Sequence, residues 1–84
     1  MATPKVDAKH NAHLIKIGLK VAYYRKLRSL TQEQLAERAD ISRTTIAHLE
    51  SPDKFHSTSL STLFRISDAL DIHVKKLFDF EGDD

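Results

Sequence analysis

Residues 31–50, TQEQLAERADISRTTIAHLE, restrict the possible folds of this chain more than any other stretch, because they contain two helix-start signals in close succession. Thr31 is a predicted N-cap, and Gln34 stands three residues later, where a capping box requires Glu or Gln. Ser42 is a second predicted N-cap. Apolar residues at the staple positions support both starts: Leu30 with Leu35, and Ile41 with Ile46.

These signals predict helix 2 over Gln32–Ala39 and helix 3 over Arg43–Glu50, joined only by Asp40-Ile41. A connector this short makes the two helices cross steeply, as they do in a helix-turn-helix. The residues predicted to fill the angle between the helices are Leu35, Ala36, Ala39, Ile46 and Leu49, and those predicted to point outward are Arg43, Thr44, Ala47 and His48.

Apolar spacing predicts three further helices. Helix 1 is expected from His13 or Leu14 to about Arg28, and helix 4 follows an N-cap at Ser59 or Thr58. A short helix 5 is expected over Val74–Phe78, with Leu77 and Phe78 directed inward. The predicted inner face of helix 4 contains Leu60, Leu63, Ile66, Ser67 and Leu70. The fold class is therefore all-α, a compact bundle of five short helices around a central helix-turn-helix.

Three segments are expected along the chain. Residues 1–12 lack periodicity and are predicted to be a flexible N-terminal arm, whose lysines follow a polyanion or simply belong to a frayed terminus. Residues 13–78 form the predicted helical domain. Residues 79–84 are an acidic tail that is expected to fray.

The length of 84 residues provides one small core but no cleft between domains, so an enzyme is not expected and we assign no catalytic residues. The chain has no cysteine, and its histidines lack carboxylates at ligand spacing, so neither a metal site nor a cofactor is predicted. No apolar run reaches the roughly 18 residues of a membrane span, and no secretory signal precedes the domain. We expect a soluble cytoplasmic protein.

Charge is unevenly distributed along the chain. Residues 1–30 carry seven Lys and Arg but one Asp, whereas the remainder carries six basic and eleven acidic residues. This polarity favours a molecule with one side that faces a polyanion, although a basic face on helix 1 that is merely solvated gives the same pattern. Ile15, Leu19 and Tyr23 lie off the core stripe of helix 1, and are either a second contact surface or scattered surface residues.

Over residues 17–78 the chain resembles the phage repressor and Cro-like (XRE-type) helix-turn-helix family. The run IGLKVAYYRKLRSLTQEQLAERADISRTTIAHLE, followed by LSTLFRISDALDIHVKKLF, carries the resemblance. It departs from the family at three places: Asp40 and Ser29 stand where glycine is common, and Ser51-Pro52 replaces a glycine-containing exit from helix 3.

The resemblance implies a lambda-repressor-like DNA-binding domain whose helix 3 enters the major groove. It places Gln32, Thr31 and Ser42 against phosphates of the DNA backbone, and Arg43, Thr44 and His48 against bases. Arg25 and Glu50 match the family's structural ion pair.

The chemistry of these residues agrees with such roles. Helix starts, where Thr31 and Ser42 stand, suit a phosphate, and Arg at the first turn of helix 3 suits the O6 and N7 atoms of guanine. The alternative is that Arg43 and His48 are ordinary solvated residues.

We therefore expect a sequence-specific transcription regulator, a repressor-like or controller protein, that binds double-stranded DNA as a homodimer on a palindromic site. The expected dimer surface contains Phe64, Phe78 and Phe80. The alternative is a protein-interaction module, such as an antitoxin-like partner with secondary DNA binding. The apolar residues of helix 1 that lie off its core stripe, together with Phe80, favour that alternative, whereas the small polar face of helix 3 favours a groove.

Overall fold

The computed structural model describes residues 8–53 and 57–80 and, within them, contains α-helices and one 3₁₀ helix but no strand. The helices are α1 (Ala8–Leu27), α2 (Gln32–Ala39), α3 (Arg43–Glu50) and α4 (Leu60–Leu70), followed by the 3₁₀ helix Val74–Phe78. The all-α helix-turn-helix fold is confirmed, but the bundle has four α-helices rather than five. None of the helices in the described ranges has the length and apolarity needed to cross a membrane.

The fifth predicted α-helix is a 3₁₀ helix, and this changes which side chains it buries. In a 3₁₀ helix residues three apart lie on one side, so Val74 and Leu77 face the core together, and Leu77 is fully buried. Phe78 is displaced from that side and is 41% exposed, so the prediction that it points inward was wrong.

Both ends of the chain differ from expectation. Helix α1 begins at Ala8, within the segment predicted to be an arm, and the remaining arm residues 1–7 lie outside the described ranges. Phe80, assigned to the fraying tail, is half-buried, and its ring stacks on that of His13 with centroids 5.6 Å apart. The rest of the tail, residues 81–84, is outside the described ranges.

The predicted N-caps of α2 and α3 are both formed. The Thr31 hydroxyl accepts from the Gln34 N–H at 3.0 Å while the Gln34 side chain accepts from the Thr31 N–H at 2.8 Å, which completes the capping box. Ser42 accepts from the Thr45 N–H at 3.1 Å, and Ser59 caps α4 in the same way.

The first, second and fourth α-helices share one way of ending. Ser29, Asp40 and Asp71 each adopt a left-handed backbone conformation with φ of 58°, 57° and 57°. In each case the next N–H donates back to a carbonyl five residues earlier: Leu30 to Arg25, Ile41 to Ala36 and Ile72 to Ser67. This is the Schellman motif, normally completed by glycine. Serine and aspartate therefore occupy positions where a β-carbon carries a conformational cost.

The core lies between α1, α4 and the helix-turn-helix. Its twelve buried apolar side chains come from every helical element and from the α1–α2 turn: Ile17, Val21, Leu30, Leu35, Ala36, Ala39, Ile46, Leu49, Leu63, Ile66, Leu70 and Leu77. Ser67 is also buried, and its hydroxyl donates to the Phe64 carbonyl at 3.0 Å, which explains a polar residue on the inner face. Leu60 was predicted to be on that face but is 58% exposed, because it is the first residue of α4 and stands at the open end of the helix.

Candidate DNA-binding surface

The start of α3 presents the residues that were predicted to read bases. Arg43 and Thr44 are exposed in its first turn, and His48 is half-buried one turn further along. Ala47, between them, is also half-buried and adds little bulk. A helix that presents long and short polar side chains at its N-terminal end has the form needed to enter a major groove.

The three predicted phosphate-binding side chains already make hydrogen bonds within the chain, and Thr31 and Gln32 each retain a donor. The Thr31 hydroxyl is an acceptor in its cap, so its own hydrogen is available. Gln32 donates one amide hydrogen to Glu50 Oε1 at 3.0 Å and keeps the second. The Ser42 hydroxyl lies 2.8 Å from the Thr45 hydroxyl, and when Thr45 is the donor, Ser42 can donate to a ligand.

Residues from the starts of α2 and α3 line one shallow depression. Its lining consists of Thr31, Gln32 and Arg43 together with Arg25 and Glu33. The structure thus brings three of the six predicted DNA contacts to one place, whereas Ser42, Thr44 and His48 do not line it. Glu33 was not singled out from the sequence, and it places an exposed carboxylate among the donors.

Beneath the depression an ion pair connects α1 to the end of α3. Arg25 Nε lies 2.7 Å from Glu50 Oε2 and Arg25 Nη2 lies 2.9 Å from Glu50 Oε1, so the contact is bidentate. The side chains are only 12% and 6% exposed. Arg25 also donates to the Leu30 carbonyl at 2.6 Å, and Gln32 donates to the same carboxylate. This network links the α1–α2 turn, the start of α2 and the end of α3.

Gly18 allows α1 to approach α3 very closely. A β-carbon added at Gly18 would lie 1.8 Å from the Leu49 carbonyl oxygen, which is far inside van der Waals contact. The sequence contains a signal for this contact, since glycine inside a strongly periodic helix indicates close packing. The close approach and the Arg25–Glu50 pair together set the position of α3.

Arg28 is another positioning residue that sequence reasoning missed. Its Nε donates to the Leu70 carbonyl at 2.8 Å and its Nη2 to the Asp71 carbonyl at 3.2 Å, which satisfies the C-terminal end of α4. The sequence around Arg28 indicated only a surface charge, because its two partners lie 42 and 43 positions further along the chain.

Comparison with known proteins identifies the family. The family model described as Helix-turn-helix matches residues 21–77. The chain belongs to the helix-turn-helix family. Its phage repressor-like character is supported by the immunity repressor protein of Bacillus phage phi105, which is 43% identical over 73% of this chain and 41% of the repressor. An uncharacterised HTH-type transcriptional regulator of Methanocaldococcus jannaschii is 35% identical over 77% of this chain and 96% of its own length.

Two solved structures share the fold. The restriction-modification controller protein C.AhdI from Aeromonas hydrophila is 30% identical and superposes with a TM-score of 0.74, covering 80% of this chain and 98% of its own. The biofilm master regulator SinR, solved in complex with DNA, is 28% identical with a TM-score of 0.69 over 75% of this chain and 98% of its own.

Proposed function

We propose that this helix-turn-helix protein is a sequence-specific transcription regulator, of repressor or controller type, that binds double-stranded DNA through α2 and α3. The observation that carries the proposal is the exposed start of α3, with Arg43 and Thr44, above the Arg25–Glu50 network that holds α3 in place. Similarity to a controller protein and to a regulator solved with DNA supports it. The DNA-binding unit of this proposal covers residues 13–78 together with the earlier turns of α1.

The proposed interface has two kinds of contact, one to phosphates and one to bases. Thr31, Gln32 and Ser42 bind phosphates and fix the register of the protein on the duplex, but they do not read sequence. Arg43 donates to guanine O6 and N7, Thr44 contacts a thymine methyl group or a base edge, and His48 donates to a purine N7. Base recognition therefore depends on the first turns of α3.

The base-reading role of Arg43 can be tested by an unbiased binding-site selection. Arg43→Ala is expected to relax preference at one base position of each half-site by about 1–3 kcal/mol, because a bidentate contact to guanine is lost. Arg38→Ala is the matched control, since it removes the same exposed charge from α2. The control should weaken binding to all sequences alike and reduce its salt dependence.

An unchanged preferred site after Arg43→Ala would contradict base reading by this residue. If the protein binds no DNA sequence more tightly than random competitor DNA at about 0.1 M salt, the proposed function as a whole is contradicted.

We further propose that the protein acts as a homodimer. One helix-turn-helix unit covers few base pairs, and two units on half-sites about 34 Å apart provide the specificity that a regulator needs. Phe64 on α4 and Phe78 on the 3₁₀ helix are 47% and 41% exposed and are the proposed interface. Phe80 is withdrawn from that surface because its ring packs on His13.

Sedimentation velocity tests the proposed interface. The double variant Phe64→Ser/Phe78→Ser is expected to sediment as a monomer, because two exposed aromatic anchors are removed. Tyr23→Ser removes a more exposed aromatic residue from α1 and should leave the dimer intact. A wild-type protein that is monomeric on and off DNA would rule the dimer out.

A further inference from the structure

Helix α1 carries an exposed apolar stripe on the side away from its core contacts. Leu19, Tyr23 and Leu27 are 48%, 57% and 59% exposed and are spaced four residues apart, so they form one line along the helix. Large apolar side chains grouped on one face of a small protein indicate an interaction site, whereas scattered ones do not.

The stripe borders a shallow groove of mixed chemistry. Its lining consists of Leu19, Tyr23 and Tyr24 with the two lysines Lys16 and Lys20. The rings of Tyr23 and Tyr24 meet edge to face with centroids 5.0 Å apart, which restricts both side chains. Aromatic side chains that are held in place lose little entropy when they are covered, and they are common anchors in protein interfaces.

The charge of the helix is entirely basic. No Asp or Glu occurs between Ala8 and Leu27, whereas the same helix has five Lys and Arg. Arg25 is neutralised by the Glu50 ion pair, whereas Lys16 and Lys20 form no ion pair with a described residue and add positive potential beside the apolar stripe.

We propose that this face of α1 binds an acidic amphipathic helix of another protein. The apolar face of such a helix would cover Leu19, Tyr23 and Leu27, and its carboxylates would pair with Lys16 and Lys20. Charge complementarity favours this occupant over a second copy of the chain, because two copies of α1 would bring lysines against lysines.

This surface is separate from the surfaces assigned above. The proposed DNA contacts lie on α2 and α3, and the proposed dimer contacts lie on α4 and the 3₁₀ helix. If those assignments are correct, the partner binds the protein while it is on DNA, so α1 would connect the DNA complex to a second regulatory protein.

A designed peptide tests the proposal on the full chain. The probe is a fluorescent helical peptide of about 18 residues, with leucines at every fourth position on one face and flanking glutamates. Controls are a peptide with the glutamates replaced by lysines and a scrambled peptide of identical composition. Fluorescence anisotropy measures binding to the free protein, independently of any DNA activity.

The acidic peptide is expected to bind, and Lys16→Glu/Lys20→Glu should weaken binding about tenfold or more. The lysine peptide should recover affinity for this double variant. Lys75→Glu/Lys76→Glu is the matched control, because it reverses two exposed charges on the 3₁₀ helix and should leave peptide binding unchanged. Tyr23→Ser should abolish binding without altering the circular dichroism spectrum.

Equal binding of the acidic, lysine and scrambled peptides, or binding of none, would overturn the proposal. Loss of self-association in Tyr23→Ser would also overturn it and assign the face to a second copy. A third outcome concerns the protein's own acidic tail. If the peptide binds only after residues 81–84 are deleted and not to the full chain, the α1 face would be assigned to that tail.

Discussion

Two junctions attach the helix-turn-helix to the rest of the domain, and each contains an arginine paired with a carboxylate. At the α1–α3 junction, Arg25 and Glu50 are 12% and 6% exposed and make two hydrogen bonds of 2.7 and 2.9 Å. At the α2–α4 junction, Arg65 Nη1 lies 3.6 Å from Asp40 Oδ2, and the side chains are 52% and 93% exposed. The same charges therefore stand in very different surroundings.

This difference shows which junction depends on polar contacts. Breaking a buried pair leaves a charge with neither water nor partner, whereas an exposed pair exchanges its partner for water at little cost. Helix α2 also contacts α4, and the buried apolar residues of both helices belong to one core, so apolar packing can hold the second junction by itself. At the first junction the polar network and the close approach at Gly18 determine where α3 lies.

The largest effect is expected from breaking the α1–α3 ion pair. Glu50→Ala should lower the free energy of unfolding by about 3–5 kcal/mol, because Arg25 stays largely buried and Gln32 also loses its acceptor. Chemical denaturation at neutral pH measures the change. Arg25→Met/Glu50→Met is the informative comparison, since removing both charges should recover much of the loss. An effect below about 1 kcal/mol for Glu50→Ala would show that the pair is not structural.

A loss of stability of nearly the same size is expected at the α1–α3 junction from a substitution that changes no charge. Gly18→Ala should destabilise the fold by about 2–3 kcal/mol, although alanine is the better helix former, because the added methyl group would collide with the Leu49 carbonyl. Ala22→Gly is the matched control and should cost only about 1 kcal/mol through helix propensity. Thermal unfolding compares the two. A stabilised Gly18→Ala protein would mean that α1 and α3 are further apart than described.

The bounds of the central helices could be predicted from the residues alone, but the contacts at the α1–α3 junction could not. The bounds of α2 and α3 followed from Thr31 and Ser42, since capping is a local signal read within four residues. The ion pair was reached through the family resemblance rather than through the residues themselves. The contact at Gly18 was not predicted, because a glycine inside a helix can signal close packing but does not say which distant helix packs there.

Elements outside the helix-turn-helix were predicted less well for physical reasons. Five residues cannot distinguish a 3₁₀ helix from an α-helix by periodicity, so Phe78 was placed on the wrong side. Polar residues before His13 carry no apolar period, and the early start of α1 at Ala8 was therefore missed. Phe80 lies against His13 through a tertiary contact that composition cannot reveal. The predicted DNA contacts themselves remain predictions, since their test requires DNA.

The smallest effect is expected at the α2–α4 junction, where two contributions of Asp40 oppose each other. Asp40→Gly removes the exposed contact to Arg65 but relieves a left-handed residue at φ 57°. The contact contributes at most about 0.5 kcal/mol, whereas glycine at the end of a Schellman motif should gain about 0.5–1 kcal/mol. The variant should therefore be slightly more stable in denaturant titration, and Arg65→Ala should be neutral.

Ser29→Gly is the control, because Ser29 has the same backbone conformation and makes no ion pair in the described ranges. If Asp40→Gly destabilises the protein while Ser29→Gly stabilises it, the Asp40–Arg65 contact is stronger than its exposure implies, and the contrast between the two junctions would not hold.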